Sequence, residues 1–178
     1  MRFFKGLACA TILLALSAEA YATDPTVTIS SNGTVNADSQ PAVLLVSNGA
    51  SISSGVYTLL TFETVTYDHQ NMHISSGTTI TIPSGGAGMY FVSCGVRVQA
   101  NASGFRLIDV RRGVTAGVVM AEMTNNTTAL DSIFQATKIL SLSDGDNLTC
   151  YLYHNSDAGS LSTNAVGLLT YFQAVKLP

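Results

Sequence analysis

The chain has 178 residues, of which only 11% are charged, and its formal net charge is −3. This length suffices for one domain with a substantial core. The low positive charge excludes a protein that binds nucleic acid through a basic face. Tryptophan is absent, which excludes a sugar site lined by that residue.

Residues 1–22 predict a secretory signal peptide. Arg2 and Lys5 precede an apolar run over residues 7–16, and Ala20-Tyr21-Ala22 supplies small residues at a cleavage site. The run is too short for a comfortable membrane span, and no later apolar run reaches membrane length. We therefore expect a secreted protein, extracellular or periplasmic, with no membrane span after cleavage.

Residues 23–40 form a polar segment rich in Thr, Ser and Asn. Within it, Asn32-Gly33 lies between two short stretches that contain Thr and Val, an arrangement typical of a β-hairpin. The segment has too few apolar residues to fold alone. A short β stalk and a flexible linker therefore both remain open.

Short β-branched and apolar runs, separated by turn residues, follow from residue 41 to the C-terminus. Alternation is clearest over residues 56–65, 89–98 and 148–153, whereas residues 132–142 are compatible with a buried strand or a helix. About eight to ten strands at short spacing predict an antiparallel sandwich or barrel.

Several short segments resemble, in their order and spacing, the globular heads of the complement C1q family within the tumour-necrosis-factor-like jelly rolls. The bacterial and phage-associated branch is the most similar. These segments are Tyr67-Asp68, Met72-His73, residues 79–83, residues 88–92, residues 101–106, residues 145–148, residues 153–156 and residues 171–177.

The resemblance covers residues 41–178 and implies an all-β domain, a ten-stranded antiparallel jelly-roll sandwich that assembles as a homotrimer. It implies binding or structural roles and no family-wide catalytic site. No Gly-X-Y repeat precedes the domain, so a collagen stalk is not expected.

Residues 148–153 alternate, so that one face of this strand belongs to the core and the other bears tyrosines. The resemblance implies that the tyrosine face is directed to the threefold axis, where an aromatic ring with a hydroxyl group suits an interface. The expected trimer-interface residues are Tyr151, Tyr153 and Phe172.

Cys94 and Cys150 are the two cysteines that remain after signal cleavage. An even pair in an exported chain suggests a disulfide, and two buried free thiols are the alternative. The resemblance implies that their strands lie side by side in the inner sheet, with both cysteines on its core face. This placement favours the bond.

Asp144, Asp146 and Asp157 are acidic loop residues, and some members of the family bind calcium. Asp144-Gly145-Asp146 is typical of a tight turn in which the Asp side chains cap backbone amides. Calcium requires six to eight oxygen ligands, so we expect the turn, and a calcium site remains the weaker alternative. No other cofactor is expected.

The sequence gives little support for an enzyme. His69 and His73 are four residues apart, but they lie in an expected loop rather than on one helix face, so they do not predict a metal site. The chain contains no nucleophile elbow, phosphate-binding loop or paired-cysteine zinc spacing. We expect no catalytic activity.

The function expected from these observations is a secreted, non-enzymatic trimeric binding or adhesion module that recognises a protein or glycan through its loops. The alternative is a structural trimeric knob of a surface appendage or of a phage or virus particle, which would place the protein on the virion surface. The expected ligand-loop residues are Asp68, His69, Asn71, Asn125, Asn126, Asn155 and Asp157.

Overall fold

The computed structural model describes residues 28–29, 35–36, 40–73, 77–113, 117–128, 130–163 and 169–178. The expected signal peptide, residues 1–22, lies outside the described residues. In the segment that follows it, β1 (Thr28–Ile29) pairs antiparallel with β2 (Val35–Asn36). The remainder of residues 23–39 also lies outside the described part, so the choice between stalk and linker stays open.

The domain from residue 40 onward is built of short and long β-strands. They are β3 (Ala42–Val46), β4 (Ser51–Ser53), β5 (Thr58–Leu59), β6 (Thr64–His69), β7 (Thr79–Thr81), β8 (Gly88–Val98), β9 (Asn101–Arg112), β10 (Val118–Thr128), β11 (Ser132–Leu142), β12 (Asn147–His154), β13 (Ser160–Ser162) and β14 (Tyr171–Lys176).

Ten of these strands form two five-stranded antiparallel sheets. The front sheet has the order β11-β8-β14-β3-β6, and the back sheet has the order β10-β9-β12-β5, with β7 also paired to β12. Strands β4 and β13 form a separate two-stranded pair. The predicted ten-stranded antiparallel jelly-roll sandwich is therefore confirmed.

The core lies between the two sheets because each long strand alternates in burial. In β8 the residues from Tyr90 to Val98 at even positions are buried, and in β12 the buried apolar positions are Leu148, Cys150 and Leu152. Each large apolar side chain removed from water in this way stabilises the fold by about 1.5–3 kcal/mol. The odd positions of β8 are left to the outer face of the front sheet.

A disulfide between Cys94 and Cys150 links the sheets through the core, which confirms the predicted bond. The expected side-by-side placement of their strands is wrong. Cys94 lies on β8 of the front sheet and Cys150 on β12 of the back sheet. Both residues are fully buried. The bond thus joins facing strands rather than neighbouring ones.

Phe172 belongs to the core, so its assignment to the trimer interface is wrong. It has no exposed surface, and its ring centroid lies 5.5 Å from that of Phe62. Because side chains alternate along β14, Phe172 and Ala174 point between the sheets. The adjacent Tyr171 is therefore the aromatic residue that points outward.

Candidate functional site

The expected ligand-loop residues lie at opposite ends of the sandwich. Asp144 and Asp146 precede β12 and Asn155 and Asp157 follow it, and we name the two ends after Asp144 and Asp157. His73 forms a bridge with Ile80, which pairs with Leu148 at the start of β12. Asp68, His69 and Asn71 therefore lie at the Asp144 end.

The backbone of Asn125 and Asn126 pairs with Arg106 and Phe105, which places these asparagines toward the Asp157 end. Their side chains are outside the described part of the structure. The seven expected residues thus form two groups rather than one site.

Asp68 shapes the turn that follows β6. Its two carboxylate oxygens accept hydrogen bonds from the backbone N–H groups of Met72 and His73, at 2.7 and 2.9 Å. Gln70 and Asn71, which lie between Asp68 and Met72, have positive φ angles of 74° and 55°. Non-glycine residues rarely adopt this conformation. The carboxylate of Asp68 therefore fixes the loop, and Asn71 remains exposed on it.

Asp157 ties the loop after β12 to the start of β9. Its carboxylate accepts hydrogen bonds from the hydroxyl group of Ser103 and the side-chain amide of Asn101. These bonds lower the pKa of Asp157, and the bond from Ser103 has the larger effect. Asn155 adds a second link, because its side-chain oxygen accepts a hydrogen bond from the backbone N–H of Phe105.

Asp144 and Asp146 stabilise turns, as the sequence predicted. Asp144 accepts hydrogen bonds of 2.7 Å from the backbone N–H groups of Gly85 and Ala87, which lower its pKa. Asp146 accepts one from the backbone N–H of Ser143. Because Asp157 lies at the other end of β12, the three carboxylates do not form one calcium site.

The outer face of the front sheet is free of Asp, Glu, Lys and Arg over most of its width. Its residues are those at odd positions of β8, β11 and β14, apart from Arg97 and Ser141, together with alternate residues of β3. They are Ala42, Leu44, Met89, Phe91, Ser93, Gly95, Ile133, Gln135, Thr137, Ile139, Tyr171, Gln173 and Val175. We call this set the uncharged face. Arg97, the next outward position of β8 after Gly95, bounds the face and is paired with Asp131.

Tyr171 lies at the centre of the uncharged face. Its ring rests directly on Gly95, where a β-carbon would collide with it. Its hydroxyl group donates a hydrogen bond of 2.6 Å to Gln135 Oε1 and lies 3.2 Å from Ser93 Oγ. Ser93 Oγ is in turn 2.9 Å from Thr137 Oγ1. Polar atoms at the centre of this face are therefore paired with one another.

Tyr151 and Tyr153 lie on the outer face of the back sheet, away from the uncharged face. Tyr153 is 4.8 Å from Tyr57 and 5.6 Å from Phe105 between ring centroids. The guanidinium carbon of Arg111 lies 4.2 Å from the ring centroid of Tyr151 and 4.7 Å from that of Tyr57. We call these five residues the aromatic row. The expectation that Tyr151 and Tyr153 face a threefold axis came from the resemblance and stays a prediction. The topology contradicts only the shared sheet of their strand with Cys94.

Asp109 fixes the aromatic row from beneath. It is buried and accepts two hydrogen bonds of 2.8 Å from Arg111 Nε and Nη2. Hydrogen bonding to Asp109 is the largest cause that raises the pKa of Arg111. This bidentate pair holds the guanidinium beside the rings of Tyr57 and Tyr151.

Tyr57, Phe105 and Arg111 were not among the residues expected from the sequence. Phe105 and Arg111 could have been found, because they share the outward parity of β9 with Leu107 and Asp109. Tyr57 precedes the two-residue strand β5, so alternation gave no signal for it.

Comparison with solved structures shows which fold this geometry belongs to. Murine APRIL at pH 8.5 has a TM-score of 0.59 at 14% identity, over 78% of this chain and 99% of that one. The globular domain of zebrafish complement 1qA protein has a TM-score of 0.56 at 11% identity, over 78% and 98%. The chain has the tumour-necrosis-factor-like, C1q-type jelly-roll fold.

The Eiger TNF of S. frugiperda shares this jelly roll, with a TM-score of 0.52 and 13% identity over 78% of this chain and 93% of that one. No protein-family model and no curated protein matches the sequence. The C1q-type resemblance is thus confirmed at the level of fold, and its bacterial and phage-associated branch stays a prediction.

Two further observations concern metal-binding groups and membrane-spanning helices. Among the described residues, no group of three or more His, Cys, Asp or Glu side chains could hold a metal ion. In the same part of the chain, no helix has the length and apolar character needed to cross a membrane.

Proposed function

We propose that the protein is a secreted, non-enzymatic homotrimeric binding or adhesion module, assembled through the uncharged face. The observation that carries this proposal is the composition of that face. It combines aliphatic and aromatic side chains with paired polar groups. The charged residue that adjoins it on β8, Arg97, is paired with Asp131. Extended apolar surfaces of this kind on soluble proteins are typical of interaction sites.

Three apolar residues of the uncharged face, Met89, Ile133 and Ile139, are exposed in the single chain. Ile133 is 60% exposed and Ile139 is 53% exposed, both on the edge strand β11. An uncovered edge strand is prone to unwanted pairing. Burial against a second copy removes this surface from water and contributes about 25 cal/mol per Å² of apolar area.

The hydrogen bonds around Tyr171 make this face suitable for a specific interface. Ser93, Thr137 and Gln135 are already paired with one another or with Tyr171. The hydroxyl groups of Ser93 and Thr137 and the side-chain oxygen of Gln135 can therefore be buried in an interface without losing a partner, a loss that would cost about 1–3 kcal/mol for each group. The ring of Tyr171 adds apolar area at the centre.

Assembly as a trimer would present each loop three times, which raises the affinity for a repeated ligand by avidity. The loops are held by short-range hydrogen bonds, as at Asp68 and Asp157. Rigid loops lose little entropy when they bind. A protein or glycan on another surface is the proposed ligand of this module.

Secretion is supported by the covalent structure of the core. A structural disulfide such as that between Cys94 and Cys150 forms and persists in oxidising compartments. The signal-peptide features of residues 1–22 lead to the same location.

The mass of the exported, mature chain in solution tests this proposal. Light scattering after size-exclusion chromatography should give a single species with three times the mass of one chain, unchanged on dilution into the low micromolar range. A species with the mass of one chain at all concentrations would refute the trimer and the avidity that depends on it.

A further inference from the structure

The aromatic row lies on the side of the sandwich opposite the uncharged face, so the proposed trimer leaves it accessible. It extends from Phe105 through Tyr153 and Tyr57 to Arg111 and Tyr151, with successive separations between 4.2 and 5.6 Å. Tyr57 is 45% exposed. Large aromatic side chains are seldom exposed in such a continuous arrangement without a partner.

We infer that the aromatic row binds an uncharged polysaccharide. This inference rests on the proposed function, because it takes the chain to be a binding module and assigns its ligand class. It also moves the binding surface from the loops to the outer face of the back sheet.

The chemistry of a sugar ring matches the groups in the row. One face of a pyranose presents C–H groups, and its rim presents hydroxyl groups. The face of an aromatic ring carries negative charge density, which attracts C–H groups. Tyr57, which is 45% exposed, offers such a face together with a hydroxyl group that can bond to the sugar rim.

The charges around the row favour a neutral ligand. The positive charge of Arg111 is compensated by two hydrogen bonds to Asp109, which is 1% exposed. Glu122 stands opposite Asp109 on the neighbouring strand β10 and is exposed. Among the described residues of this surface, no positive charge is left uncompensated for an anionic polymer, and Glu122 repels one.

The shape of the surface favours a polymer over a free sugar. Side chains on one face of a sheet stand side by side, so they form a row rather than a cavity. Pockets for small molecules are concave and bury most of the ligand. A chain of sugar units can instead stack one unit after another along successive rings.

The row is also organised before any ligand binds. Leu107, Asp109 and Thr149 lie beneath it and are buried, and Arg111 is held beside two tyrosine rings. Little side-chain freedom is therefore lost on binding. This supports a rigid stacking surface.

Retention on insoluble polysaccharides tests the inference. The mature chain should be retained on at least one of cellulose, chitin and insoluble β-glucan, and the retention should not weaken when sodium chloride is raised. Tyr57→Ala should weaken binding about tenfold, because it removes one stacking ring. Val56→Ala is the matched control, since Val56 is the adjacent residue and is 53% exposed; it should bind like the unaltered chain.

Three results would overturn the inference: no retention on any of the three polymers, equal weakening by Tyr57→Ala and Val56→Ala, or retention only on an anionic polysaccharide with loss at high salt. Light scattering on the same samples separates this failure from failure of the proposed function. A trimer without retention refutes only the polysaccharide site, and a retained monomer refutes only the trimer. Unchanged thermal unfolding of Tyr57→Ala shows that lost binding is not lost folding.

Discussion

Cys94 and Cys150 lie on facing strands of the two sheets, with their Cα atoms 6.4 Å apart and a separation of 56 positions in sequence. The bond closes a long loop through the centre of the core. Because both cysteines are fully buried, a reductant can reach the bond only when the sandwich opens. The two sheets are thus joined covalently within the buried core.

Reduction of this bond should destabilise the domain strongly. Closure of a loop of this length contributes about 4 kcal/mol through the entropy of the unfolded chain. We expect urea unfolding with a reductant to give a free energy of unfolding lower by roughly that amount. The double variant Cys94→Ala/Cys150→Ala should be insensitive to the reductant. Equal stability of the unaltered chain with and without reductant would contradict this prediction.

The contact between Gly95 and Tyr171 should be sensitive to a single added methyl group. A β-carbon at residue 95 would meet the ring of Tyr171, so Gly95→Ala should displace the ring and destabilise the fold by about 1–3 kcal/mol. Gly159→Ala provides the control, because a β-carbon there meets no atom within 4 Å. Thermal unfolding should separate the two variants, and equal midpoints would show that the ring can move without cost.

Tyr90 should make the stability of the domain depend on alkaline pH. Burial, and to a smaller extent Asp144, raises the pKa of Tyr90 from 10.0 to about 12. Its hydroxyl group donates a hydrogen bond to the backbone oxygen of Gly86. A raised folded-state pKa gives a contribution that is fully present below pH 10 and is lost as the pH rises toward 12.

Urea unfolding at pH 9 and at pH 11 would measure this effect. The unaltered chain should lose more stability between the two values than Tyr90→Phe, which has no group to titrate at this position. A similar loss in both proteins would assign the alkaline sensitivity to other residues.

Strand positions could be predicted from the sequence wherever alternation is long and regular. The segment of residues 89–98 differs from β8 by one residue. Residues 132–142, for which a strand and a helix both stayed open, coincide with β11. Residues 56–65 were predicted as one strand, but the structure divides them between β5 and β6. Leu60 and Phe62 are buried in the irregular segment between these strands, so alternation there reports burial and not strand pairing.

Sheet membership could not be predicted from alternation, because it depends on pairing between strands distant in sequence. This is why Cys94 and Cys150 were expected on neighbouring strands although the bond itself was predicted correctly. The assignment of Phe172 to the trimer interface was wrong for a related reason. Tyr171 and Phe172 are adjacent aromatic residues, and only the register against Gly95 and Cys94 shows which of them points outward.

The aromatic row could not be predicted either, because it also depends on which strands are neighbours in a sheet. Tyr57, Phe105 and Arg111 approach Tyr151 and Tyr153 only because β5, β9 and β12 are neighbours in the back sheet. Arg111 is paired with Asp109, which precedes it by two residues on the same face of β9. The pairing of strands therefore determines the site more than any local motif does.

The central claim is that the uncharged face holds three copies together, and one substitution tests it most directly. Ile139→Arg places a charge on this face, whereas Val56→Arg places the same charge at a residue outside the face with similar exposure, 53% in each case. Light scattering on both mature variants should give the mass of one chain for Ile139→Arg and of three chains for Val56→Arg. A trimer in both variants would contradict the claim.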